Sequence, residues 1–149
     1  EAEKLELYAL DIGRELTLAD IALIAPAEQP RGADDAADAA IIGDVAAADR
    51  SIDRFLDAGG NPISGLRTLH FRLLRLSDAA SGTPLARLRP PIFDRDGGSY
   101  QRALRDWTAK RIEAGFTQLY ATEKACKQAG APSETLVRDL LRRIATRGL

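Results

Sequence analysis

The chain has 149 residues, 29% of them charged and only 5% aromatic, with a formal net charge of −1. A single cysteine, Cys126, excludes an internal disulfide and a thiolate metal cluster, and the lack of any apolar run of about 18 residues excludes a membrane-spanning helix. Alanine, leucine and arginine are abundant and no strand-like alternation of β-branched and aromatic residues occurs, so the composition predicts an all-α fold able to bury its own core.

No charged-apolar-small leader opens the chain, and the expected location is the cytoplasm. There is no methionine, even at position 1, and the helix-forming Glu1-Ala2-Glu3-Lys4 comes first, so a fragment of a longer protein is expected. The small net charge hides a segregation: residues 1–60 hold 14 acidic and 5 basic side chains, whereas 61–149 hold 8 acidic and 16 basic. Two readings are open. The halves face each other inside one fold, or the basic half is steered toward an acidic surface or nucleic acid.

Leu5, Tyr8, Ala9 and Ile12 form the apolar side of a first helix that Gly13 can stop. Thr17 caps a short second helix, with Asp20 at the capping-box position and Leu16 placed to staple onto Ile21, and Pro26 ends it. Residues 26–32, Pro-Ala-Glu-Gln-Pro-Arg-Gly, have a linker's composition and mark the one convincing domain boundary. Residues 33–42 read as a short Ala-rich helix with Asp34, Asp35 and Asp38 near its positive end.

After Gly43, Asp44 can cap a helix in which Val45, Ala48, Ile52, Phe55 and Leu56 face inward, while Asp49, Arg50, Asp53, Arg54 and Asp57 form a solvated face. Gly59-Gly60-Asn61-Pro62 then breaks the chain: the glycines suit a left-handed stop, Asn61 caps the next helix, and Pro62 takes its first position. Along that helix Leu66, Leu69, His70, Leu73 and Leu76 recur at helical spacing, and Phe71 and Leu74 widen the stripe, which predicts burial on more than one side.

Gly82 and Pro84 interrupt it, and a turn through Leu85 and Leu88 leads into the extended elbow Arg89-Pro90-Pro91-Ile92-Phe93 and a polar turn at 94–98. Ser99 can cap a helix through Trp107. Thr108 caps a longer one, with Trp107 placed to staple onto Ile112 and with Ile112, Phe116, Leu119, Tyr120 and Cys126 on its inner side. Gly130 stops it, and a last helix from Pro132 or Ser133 buries Leu136, Val137, Leu140, Leu141 and Ile144. The whole reads as a bundle of about seven to eight helices.

Chemistry-bearing motifs are scarce. The phosphate-cradling Gly-x-x-x-x-Gly-Lys-Ser/Thr loop and the dinucleotide Gly-x-Gly-x-x-Gly turn are both absent. His70, the one histidine, sits among leucines and reads as a packed or partly exposed core residue rather than a ligand or base. Cys126 lies on an apolar stripe and reads as a buried thiol. Asp34 and Asp38, one turn apart, could share a divalent ion, but helix-start solvation is the better reading. Arg67, Arg72, Arg75, Arg87, Arg89, Arg95, Arg102 and Arg105 could touch nucleic acid, although only Phe71, Phe93 and Tyr100 lie near them for stacking. No pair of groups is placed to trade protons, and no catalytic residue, cofactor or metal is expected.

Residues 1–9 and 16–21 resemble the end of the lid domain in the delta subunit of the bacterial DNA polymerase III clamp loader. Asp38-Ala39-Ala40-Ile41-Ile42-Gly43-Asp44, the Gly59-Gly60-Asn61-Pro62-Ile63 break before Leu66-Arg67, Leu88-Arg89-Pro90-Pro91-Ile92-Phe93, Trp107-Thr108 and residues 123–132 resemble that subunit's collar domain in order and spacing. The acidic, glycine-rich Asp94-Arg95-Asp96-Gly97-Gly98 departs from the more basic and aromatic stretch of the family.

The resemblance implies two units, the last lid helices at 1–28 and a helical collar domain at 29–149. It implies a non-catalytic part of a DNA polymerase holoenzyme, acting in replication by packing laterally against the collars of the other loader subunits. The sliding clamp would be reached only through an N-terminal ATPase-like domain upstream, and direct DNA contact is not expected. The candidate partner-interface residues are Leu66, Phe71, Arg72, Arg75, Arg89, Phe93 and Arg95. The alternative is a helical nucleic-acid-binding module that uses the basic second half.

Overall fold

The computed structural model describes residues 32–89 and 99–148. They form six α-helices: α1 (Ala33–Ile42), α2 (Val45–Asp57), α3 (Pro62–Ala80), α4 (Ser99–Asp106), α5 (Ala109–Cys126) and α6 (Ser133–Ala145), with a single 3-10 turn at Leu85–Arg87. No strand occurs among the described residues, so the all-α class holds. The helix count is six rather than seven to eight; the two helices expected at 5–12 and 17–24 lie outside the described residues. No described helix is long and apolar enough to cross a membrane.

The helix ends follow local chemistry. Asp44 Oδ1 accepts from the Ala47 N–H at 2.9 Å, Asn61 Oδ1 from the Ile63 N–H at 2.8 Å, and Thr108 Oγ1 from the Arg111 N–H at 3.2 Å, so each satisfies an orphan donor of a first turn. Between α2 and α3 the Gly60 N–H reaches back to the Phe55 carbonyl and the Gly59 N–H to the Leu56 carbonyl, both at 2.9 Å. This is the paired stop that a left-handed residue permits, and Gly59 supplies it with φ +82°. Asn61 and Pro62 then start α3 at once, which folds α3 back beside α2.

α1 is the hub. It packs on α2, α3, α4 and α6, and Ala36, Ala37, Ala39, Ala40 and Ile41 are all buried. Alanine at four of those five positions keeps the helix thin, so that neighbours crowd it from several directions. Around it α3 lays Leu66, Leu69, Leu73 and Leu76, α2 adds Ile52 and Phe55, and α6 adds Val137, Leu140 and Ile144. Gly115 is buried where α5 meets α3, and a Cβ there would make only an ordinary contact, 3.6 Å from the Leu73 methyls.

The charge segregation resolves inward. Arg72 Nε and Nη2 donate to Asp38 and Asp34, each at 2.7 Å, while Arg138 and Arg142 on α6 reach Asp53 and Asp49 on α2, each at 2.8 Å. Among the described residues, four aspartates of the first half thus meet three arginines of the second. This corrects two readings. Asp49 and Asp53 are not simply solvated, and Asp34 and Asp38 share a guanidinium.

Five apolar expectations change as well. Phe71 and Leu74 are exposed, at 55% and 42%, because the neighbours of α3 cover its other sides and leave this stripe outward. Tyr120 is 52% exposed, Leu136 is only partly buried, and Cys126 is half-buried, with Sγ 3.8 Å from the Ser133 carbonyl.

Candidate interaction surface

The seven candidate interface residues fall into separate environments. Leu66 is buried, at 2% exposure, and serves the core. Arg72 is held by its two aspartates, with its side chain only 15% exposed. Arg75 is buried, and its Nε has no hydrogen-bond partner. Phe71 and Arg89 are exposed. Phe93 and Arg95 lie outside the described residues.

Arg72 and Arg75 belong to one polar knot with Asp34, Asp38 and Tyr100. Burial pushes the Asp38 carboxyl above the usual carboxylate range, against the attraction and hydrogen bond of Arg72, which pull it down. Burial and then the neighbouring Arg72 charge push the Arg75 guanidinium below its ordinary value. Burial also pushes the Tyr100 hydroxyl up to about 12. Two arginines and two aspartates balance in charge, so the knot is internally neutral. Two of the arginines that a nucleic-acid reading would use are therefore spent inside the fold.

The outward apolar surface lies along the α3–α5 seam. His70 stacks on Phe71 with ring centroids 6.1 Å apart, and meets Phe116 and Tyr120 edge-on, each at 5.7 Å. Tyr120 Oη lies 3.4 Å from His70 Nε2, which makes His70 a half-buried packing residue as expected. Beside this cluster runs an open groove of about 560 Å³. Ser77, Ala80 and Ser81 form one wall, and successive turns of α5 from Thr108 to Tyr120 form the other, with Trp107, Ile112 and Phe116 at its apolar side.

Trp107, on the groove's lining, is fixed in place by the hub helix and by Arg111. Trp107 Nε1 donates to the Ile41 carbonyl at 2.9 Å, and the Arg111 guanidinium lies 4.1 Å over the Trp107 ring. Arg111 also donates to the carbonyls of Asp106 and Ile144, each at 3.1 Å, which ties the end of α6 to the α4–α5 corner. Among the described residues, no group of three or more histidine, cysteine, aspartate or glutamate side chains could hold a metal ion.

No family model, no curated protein and no solved structure matches this chain. Its surface therefore speaks through its own geometry. Leu74 and Tyr120 were not among the candidate residues. Periodicity marks both as apolar, but Leu74 sits at the edge of an over-wide stripe, and Tyr120 directly follows Leu119, the last buried residue of α5, about 100° further round the helix. The single legible signal was that α3 carries more apolar positions than one buried face needs.

Proposed function

We propose that this chain is the C-terminal part of a delta subunit of the DNA polymerase III clamp loader, with a helical collar at 29–149 that assembles with the other loader subunits in replication. The reading rests on the ordered motifs of the sequence. The observation that carries it in the fold is the outward apolar strip of Phe71, Leu74 and Tyr120 beside an open apolar groove. Such a strip, rimmed by polar side chains, is what a protein partner covers. The role is adhesive and non-catalytic, in the cytoplasm, and the sliding clamp is met only by a domain upstream of this segment.

The test is reconstitution. Mixed with the other clamp-loader subunits, the chain is expected to co-elute with them in size-exclusion chromatography with light scattering, and a Phe71→Asp, Leu74→Asp double variant of unchanged helicity is expected to be lost from the complex. A wild-type chain that stays separate, under conditions where a full-length delta subunit assembles, overturns the reading. So does a double variant that assembles as well as the wild type.

A further inference from the structure

Between Pro62 and Ala79, α3 exposes four residues: Arg67, Phe71, Leu74 and Asp78. At about 100° per residue these positions, i, i+4, i+7 and i+11, fall within an arc of roughly 60°, so they form one straight stripe along the helix. Its order is cation, aromatic ring, aliphatic side chain, anion. The midpoint lies between Phe71 and Leu74, and the two charges stand about 16 Å apart, at equal distances from it.

That order is complementary to itself. When the stripe is turned end for end about its midpoint, Arg67 falls opposite Asp78 and Phe71 opposite Leu74. A parallel alignment would instead set Arg67 on Arg67 and Asp78 on Asp78. We propose that the exposed face of α3 pairs with the α3 of a second copy of this chain, antiparallel about a two-fold axis, burying Phe71 and Leu74 between two Arg67–Asp78 cross-pairs. A two-fold contact needs this reciprocity, in which residue i meets j and j meets i.

Glu123, which lines a small pocket with Arg67, is already held by Lys127 at 2.6 Å. Helix-on-helix packing at a shallow crossing angle lets the apolar pair interdigitate. The contact is a single helix pair with exposed ion pairs at its rim, below the size of a standard stable interface, so the dimer is weak and loosens with salt. The inference does not depend on the clamp-loader reading, because self-pairing is measured on this chain alone; both contacts use Phe71 and Leu74, so a copy paired in this way is not free for the loader contact.

Sedimentation equilibrium of the full 149-residue chain, across concentrations reaching the millimolar range at low salt, tests it. A monomer–dimer equilibrium is expected. Arg67→Asp and Asp78→Arg, each at an exposed site and each checked for unchanged circular dichroism, are each expected to weaken self-association by about tenfold or more. A one-to-one mixture of the two variants is expected to regain wild-type association, since both cross-pairs are then opposite in sign, and the double variant is expected to regain it by itself. Leu74→Ser is expected to lose it at any salt. A wild type that remains monomeric throughout overturns the proposal. So does association indifferent to both charge reversals, or a mixture that fails to recover.

Discussion

The Trp107 indole N–H donates to the Ile41 carbonyl at 2.9 Å, a bond between residues 66 positions apart that fastens the last turn of the hub helix to the α4–α5 corner. The Ile41 oxygen is one of the terminal carbonyls that a helix cannot satisfy internally, and the Trp107 ring is buried at 2% exposure. Trp107→Phe keeps most of the ring's volume but removes the donor. The expected loss is about 1–3 kcal/mol of unfolding free energy, read from urea denaturation followed by circular dichroism. An unchanged midpoint would show that water replaces the indole at no cost.

The clasp of Arg72 on Asp38 should be pH-dependent. The folded pKa of Asp38 lies above the ordinary 3.8, mainly through burial, so the part of the stability that comes from its protonation is fully present below that value and is lost as pH rises through the folded pKa. Arg72 acts the other way and holds the folded value down. Without it the folded pKa climbs further and the ionised carboxyl is left without its partner. Arg72→Met is therefore expected to cost about 1–2 kcal/mol near neutral pH, allowing for the half-exposed carboxylates, and markedly less near pH 4. Denaturation curves at the two pH values check the difference, and an equal cost at both would rule out the coupling.

Tyr100 makes a complementary case at high pH. Its hydroxyl is pushed up to about 12 by burial, above the ordinary 10.0, so its contribution is complete below 10 and declines as pH climbs toward 12. Ultraviolet titration of wild type and Tyr100→Phe should differ by one phenol, which ionises only as pH approaches 12. A difference spectrum that develops near pH 10 would contradict the burial of this side chain.

At the α2–α3 turn the two glycines should respond unequally. A Cβ on Gly60 would lie 2.5 Å from the Phe55 carbonyl oxygen and 2.6 Å from its ring, whereas a Cβ on Gly59 meets nothing within 4 Å and is opposed only by the left-handed backbone. Gly59→Ala is expected to cost about 1–2 kcal/mol. Gly60→Ala is expected to cost about 2–3 kcal/mol, from overpacking against Phe55. The reverse order in thermal denaturation would mean that the turn relaxes around the Gly60 methyl.

Phe71→Ser and Leu74→Ser should each cost only about 1 kcal/mol, because about half of each residue already stands in water. Leu73→Ala, one position away, should cost about 2–5 kcal/mol, because Leu73 is fully buried. Chemical denaturation of the three variants compares them directly. A large loss at Phe71 would mean that the outward strip contributes to the fold.

The sequence by itself determined where α2, α3 and α5 begin and where α1 and α2 end. Asp44, Asn61, Pro62, Thr108 and the glycines at 43 and 59 act on backbone groups only a few positions away, so their effect is fixed by neighbours in the chain. It also marked the inner leucines of α3, whose spacing is a local property. Only the tertiary structure decided that the Ala-rich segment is the hub, that Phe71, Leu74 and Tyr120 face outward, and that Asp34, Asp38, Asp49 and Asp53 meet arginines 34 to 93 residues further on. Burial and ion pairing depend on which surfaces arrive from distant parts of the chain. An apolar periodicity states only that a helix has a face to cover, and packing around α1 settles which face is covered.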